Sequence, residues 1–217
     1  MTRAGREEGA GQGLAGLQTA IGHCRICVEA PLRQPLPHAP RPVCVLSSSA
    51  RIAICGQAPG TRVHASGRPF TDPSGDRLRD WMGIGEAVFY DAKKVAIVPM
   101  GFCFPGLDAK GGDLPPRREC RLAWHDRVFA AMPQIRLKLV IGQYAQAYHL
   151  GKLRKGSVRE TVGAWREILE ASRREGVAAL CLPHPSWRNN AWLKKNPWFE
   201  EEYLPVLRAE IAAALAE

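Results

Sequence analysis

The sequence predicts an α/β protein, a three-layer α/β/α sandwich around a central, mostly parallel four-stranded sheet. Three observations carry this. Four short apolar runs recur along the chain, and each is nearly continuous rather than alternating, the pattern of strands buried on both faces. Helix-like segments separate the runs, as parallel neighbours require. The 217 residues, 46% apolar and 24% charged, are enough for one full hydrophobic core.

Taken in order, Met1 to Gln18 is Gly-rich and mixed in charge, and reads as a flexible tail ahead of a single domain over residues 19–217. Pro31–Pro42 is proline-dense and can be neither helix nor inner strand, so it is a loop. Ala50–Cys55 (ARIAIC) is the first strand, followed by a Gly/Pro loop and a helix over Ser74–Met82. Lys93–Met100, Leu137–Gly142 and Val177–Pro183 are the remaining strands. Arg117–Ala131, Gln143–Leu150 and Pro197–Leu215 are helical, the last with proline near its first turn. No internal repeat is present. Sheets of this kind place their sites in the loops at the carboxyl ends of the strands.

Charge and composition narrow the function classes. Thirty Lys and Arg against twenty-one Asp and Glu leave a formal +9, which suits a polyanionic partner, although a solvated basic face would read the same way. No apolar run approaches the roughly eighteen residues of a membrane span, and the first twenty residues lack an apolar signal core, so a cytoplasmic protein without a membrane role is expected. Seven cysteines in a reducing compartment are not a disulfide framework. Cys24 and Cys27 form a C-x2-C pair, with Cys103 after the second strand and Cys120 at the start of a helix. On chemistry alone, four thiolates suit zinc or iron–sulfur equally. Cys44, Cys55 and Cys181 lie in apolar runs and read as core residues. A zinc nucleobase deaminase is excluded, because no His-x-Glu occurs and the one Cys-x-x-Cys follows His23 rather than proline.

Two loops carry the chemistry. Gly56-Gln57-Ala58-Pro59-Gly60 follows the first strand, with Gly67-Arg68-Pro69-Phe70-Thr71-Asp72-Pro73-Ser74-Gly75 soon after, and His184-Pro185-Ser186-Trp187-Arg188-Asn189 follows the fourth. Alone, either could be an ordinary turn. In this order and on these strand ends, they resemble the uracil-DNA glycosylase superfamily, with the iron–sulfur bacterial and archaeal branches (families 4 and 5) nearest, whose first motif runs G-[E/L]-A-P-[G/A] followed by G-R-P-F. The resemblance spans about Cys24 to Asn190.

It implies an enzyme that hydrolyses the N-glycosidic bond of deoxyuridine in DNA and leaves an abasic site, the opening step of base excision repair. It implies uracil-containing DNA as partner and a monomeric protein. By the same resemblance Phe70 stacks on uracil, Gly56 to Pro59 form the wall beside it, and His184 donates to the uracil anion. Gln57 stands where one branch has a catalytic glutamate; an amide can orient water but cannot take its proton. Asp72 sits one residue from where another branch has its aspartate, so a water-positioning or cation-stabilising role and a plain helix cap are weighed equally. Pro99 stands where several branches carry a base-reading asparagine, which leaves recognition to backbone groups or to Asn189. Phe104–Glu119 corresponds to a loop that, in one branch, carries a product-trapping histidine; with none here, no covalent product is expected. The resemblance makes Cys24, Cys27, Cys103 and Cys120 ligands of a structural [4Fe–4S] cluster. Ser186, Trp187 and Arg188 would face DNA, Trp187 as a wedge and Arg188 on phosphate, with Lys194 and Lys195 adding charge. A glycosylase for another deaminated base and an inert DNA-binding relative are the alternatives.

Overall fold

A computed structural model describes residues 13–216. Four strands, β1 (Ile52–Cys55), β2 (Val95–Ile97), β3 (Leu137–Ile141) and β4 (Ala178–Leu182), form one sheet in the order β2-β1-β3-β4, with every pairing parallel. Ile54 lies opposite Ile97 on one side and Leu139 on the other, and Leu139 opposite Leu180. Ile52, Ile54, Leu139 and Leu180 are all fully buried, which is why these strands read as nearly continuous apolar runs.

The exposed edge of β2 is closed by the chain before β1. Val45 and Ile97 exchange backbone N–H···O bonds of 2.9 and 2.8 Å, and Val43 N–H donates to Phe102 O at 2.7 Å. An edge covered in this way offers no template for a second chain.

Helices cover both faces. In chain order they are α1 (Leu14–Gly22), α2 (Ile26–Glu29), α3 (Thr61–Ser66), α4 (Pro73–Met82), α5 (Glu86–Phe89), α6 (Arg118–Cys120), α7 (Asp126–Ala130), α8 (Gly142–His149), α9 (Val158–Gly163), α10 (Trp165–Arg174), α11 (Asn190–Lys195) and α12 (Leu204–Ala216). Between α6 and α7, and again before α12, the backbone winds as a π-helix, over Arg121–His125 and Phe199–Tyr203. The helices expected at 117–131 and 197–215 are therefore present, each with one turn widened to i→i+5 bonding.

Residues 14–18, expected in a tail, instead open α1, and Leu17 is buried in the core. The rest of that expected tail, residues 1–12, lies outside the described residues. α9 begins with a full capping box, in which Ser157 Oγ accepts Glu160 N–H at 3.1 Å and Glu160 accepts Ser157 N–H at 3.0 Å. Tyr203, fully buried, donates its hydroxyl to Cys181 O at 2.7 Å and so ties the C-terminal helices to β4. No helix among the described residues is long and apolar enough to cross a membrane.

Candidate active site

The strand order reverses at β1, because the chain runs from β1 outward to β2 and then returns to the other side for β3 and β4. Crevices form beyond the carboxyl ends of strands at such a switch. Here a pocket of about 280 Å³ opens there. Its wall combines the loop after β1 (Gly56 to Gly60), Phe70, Asp72 and Ser74 at the start of α4, Pro99 after β2, Ile141 at the end of β3 and His184 after β4. Six residues singled out on the two sequence loops, Gly56, Gln57, Ala58, Pro59, Phe70 and Asp72, thus meet His184 in one cavity.

Phe70 is held in an unusual posture. Its φ of 56° makes it the one non-glycine residue with positive φ among those described, a conformation that costs a side-chain-bearing residue about 1–2 kcal/mol. Three features enforce it. Tyr90 Oη and Arg79 Nη1 donate to the Phe70 carbonyl at 2.9 and 3.2 Å. The ring meets Phe89 edge-on at 5.8 Å. Gly75 presses against the same carbonyl so closely that a Cβ there would lie 1.9 Å from the oxygen. Strain fixed from several sides marks a functional position more often than an accident of packing.

The polar groups divide their work. Asp72 is the N-cap of α4, since Oδ1 accepts Ser74 Oγ at 2.6 Å and Gly75 N–H at 3.3 Å. His184 opens to solvent at the pocket, yet the protein around its ring partly desolvates it and lowers its pKa, partly offset by the carboxylates of Asp72 and Asp113. The imidazole is therefore neutral at physiological pH and keeps one N–H to donate. Asp113 was not anticipated from sequence. It lies in the stretch Phe104–Glu119 and lines the same pocket. Its pKa is raised by desolvation, against the pull of His184 and Arg188. The sequence signal available for it was a turn, the run Asp108-Ala109-Lys110-Gly111-Gly112, which returns the chain to position 113.

Pro99 lines the pocket with no side-chain donor, as expected, and its carbonyl faces away to His125 Nε2 at 3.0 Å. Asn189, expected at the base edge, is placed differently. Its amide nitrogen donates to the His184 carbonyl at 2.7 Å and it does not line the pocket, so it braces the histidine loop. The loop then makes one 3-10 turn, Trp187–Asn189. Arg77 secures it from α4, donating to Ser186 O at 3.0 Å and Asn190 Oδ1 at 2.8 Å. Trp187 projects with 73% of its surface exposed, and Arg188, Lys194 and Lys195 are exposed beside it. A wider groove of about 1060 Å³ adjoins at Leu114, lined by Arg33, Arg117, Arg118 and Arg121 with Tyr144 and Tyr148.

The family model of the uracil DNA glycosylase superfamily matches residues 45–208. The chain belongs to the uracil DNA glycosylase superfamily. A solution NMR structure of a candidate uracil DNA glycosylase from Methanosarcina acetivorans is 17% identical, over 77% of this chain and 94% of that one, with a TM-score of 0.40. A likeness at that level adds nothing to the assignment.

In this member of the superfamily, Cys24, Cys27, Cys103 and Cys120 line one small cavity together with Pro40, Pro42, Phe102 and Trp124. Among the described residues, no three His, Cys, Asp or Glu side chains gather closely enough to hold a single metal ion. The four thiols instead surround a common space. Cys27 is pulled down to about 7 by a hydrogen bond from Cys120 and by the Arg117 guanidinium, against its own burial and the Glu119 carboxylate. The bond to Cys27, together with burial, pushes Cys120 up. Trp124 Nε1 is buried with no hydrogen-bond partner. Arg117 and Glu119 also fasten the N-terminal segment, through Gln34 O at 2.7 Å and Leu32 N–H at 2.9 Å. Cys55 and Cys181 are buried in the main core and Cys44 packs partly buried against it, as expected.

Proposed function

We propose that this protein is a monofunctional uracil-DNA glycosylase that hydrolyses deoxyuridine in DNA to uracil and an abasic site. The observation that carries the reading is the single pocket joining Phe70, Gln57, Asp72 and His184 at the strand ends, of a size for one flipped-out nucleotide. The base stacks on Phe70 against the backbone of Gly56 to Pro59. As the C1′–N1 bond breaks, the electron pair passes to the uracil ring, and neutral His184 donates its N–H to that anion. Asp72, its Oδ1 held by the cap, contributes negative charge toward the cationic sugar, and the Gln57 amide orients water. Trp187 fills the gap left in the duplex. Arg188, Lys194, Lys195 and the arginine groove meet phosphates, where the contact is electrostatic and carries no sequence.

The four cysteines fit a [4Fe–4S] cluster better than a single ion, since they line a shared space rather than converge, and the unpartnered Trp124 N–H borders that space. The cluster would supply a covalent anchor between the N-terminal segment and α6.

Pro99 favours a second reading, a glycosylase for another deaminated base, because that point of the wall has no side-chain donor or acceptor to read uracil. Oligonucleotides bearing uracil, hypoxanthine or xanthine, incubated with the protein and cleaved with alkali, decide between them. Breaks at uracil alone support the proposal, breaks at the purines support the second reading, and binding without breaks refutes both.

A further inference from the structure

We infer that Asp113 is the proton acceptor for the hydrolytic water, a catalytic role that neither of the two motif loops supplies. The inference rests on the glycosylase reading and deepens it. Hydrolysis needs a group that can take a proton, and the pocket offers few. Gln57 has no basicity at neutral pH. His184 is required as a donor on the anion side. Asp72 already accepts two hydrogen bonds on Oδ1, and swinging it out would unseat the first turn of α4, at a cost of about 1 kcal/mol. Arg62, which also lines the pocket, is permanently cationic.

Asp113 has what the others lack. Its carboxylate lines the pocket, and among the described residues no hydrogen-bond donor occupies it. A Cβ at Gly60 would lie 3.5 Å from its Oδ2, so the carboxylate stands against the loop that holds the base. It is exposed to solvent, so water can reach it.

The position is built rather than incidental. Residues 106–114 form a closed hairpin: Leu114 N–H donates to Gly106 O at 2.9 Å, Asp108 N–H to Gly112 O at 2.8 Å, and Leu107 pairs with Asp113. Asp108 Oδ1 accepts Lys110 and Gly112 N–H at 2.8 and 2.9 Å and stiffens the turn. Gly106, at φ 100°, makes the entry that a side chain would resist.

The step balances simply. The C1′–N1 bond breaks with its electron pair on uracil; the water oxygen bonds C1′; the water proton passes to the Asp113 carboxylate and from there to solvent. Desolvation raises the Asp113 pKa while His184 and Arg188 restrain it, and a base moved toward neutrality accepts a proton more readily. The other charged groups facing Asp113 and His184 are Arg62, Asp72 and Arg188.

The test is single-turnover uracil excision by Asp113→Ala and Asp113→Asn, with binding to a uracil oligonucleotide measured by anisotropy. General-base loss predicts rates down by about 10²–10⁴-fold with affinity within about threefold. Added formate should restore part of the Asp113→Ala rate, and Asp113→Asn should lose the acid limb of the pH–rate profile. Excision within about threefold of wild type, or a slow variant that formate does not rescue and that keeps its acid limb, overturns the assignment. If the wild-type protein itself releases none of the tested bases, the glycosylase reading fails first and Asp113 falls with it.

Discussion

Replacing Phe70 separately by alanine and by glycine tests whether it is a pocket wall or a core residue. Both substitutions remove the ring, its edge contact with Phe89 and the stacking surface. Only glycine also removes the Cβ that makes φ of 56° costly. The edge contact is worth about 0.5–1.5 kcal/mol, so Phe70→Ala should destabilise by about that much plus a small burial term, less than the 3–5 kcal/mol of a true core Phe→Ala. Phe70→Gly recovers about 1–2 kcal/mol of backbone strain. The glycine variant should therefore be the more stable of the two by about 1 kcal/mol, the reverse of the usual order in helices and strands. Activity should not follow stability. Loss of a base stack costs about 1–3 kcal/mol, so both variants should lose about 5- to 150-fold in kcat/KM. Urea unfolding and uracil-release kinetics on the same preparations give both numbers. An alanine variant as stable as the glycine one, or a loss of 3–5 kcal/mol in both, would show that Phe70 is neither strained nor a wall.

Three further outcomes are expected. Trp187→Ala should change stability by less than about 0.5 kcal/mol, since the side chain is 73% exposed, yet slow excision from duplex DNA more than from single strands. Anaerobically purified protein should absorb in the visible, and Cys27→Ser or Cys120→Ser should lose bound iron while Cys55→Ser keeps it; a colourless wild type refutes the cluster. Burial holds the His149 imidazole down to about 3, helped by Lys138 and His125, and its Nε2 has no partner. A base with a depressed folded pKa stabilises nothing at low pH: the unfolded state gains the proton from about 6.5 downward, and stability falls by up to about 1.4 kcal/mol per pH unit between there and about 3. Thermal melts from pH 7 to 4 should show that slope, and His149→Phe, packing between Phe129 and Tyr148, should flatten it.

All four strands were legible because each is buried on both faces, so that Lys138 in β3 is the one polar residue within the strands. The short helices were not. α3 and α5 have only 6 and 4 residues, too few for a period to emerge. α1 was hidden by the glycines around it, although Leu17 and Ile21 are spaced one turn apart and both are buried. α9 carries a Ser157–Glu160 capping signature but has only 6 residues, and the α10 segment behind it is highly charged. In the pocket, the residues of the two motif loops were legible because strand ends in such sheets converge. Asp113 was not, because what brings it there is a contact between distant loops across Gly60. Asn189 was misplaced for a similar reason: a polar residue beside a site can as well serve the backbone as the ligand.

The hairpin 106–114 leaves the sheet after β2 and closes on itself before α6, with its own hydrogen bonds at both ends. It presents Asp113 to one cavity and Leu114 to the neighbouring groove without lending a residue to the four strands. Such an arm can be exchanged as a cassette. Changing its length or its tip would alter the reacting group while the base-holding wall and the strands stay as they are, so reactivity and folding can drift apart in descendants of this chain, and a designer could retune one without re-solving the other.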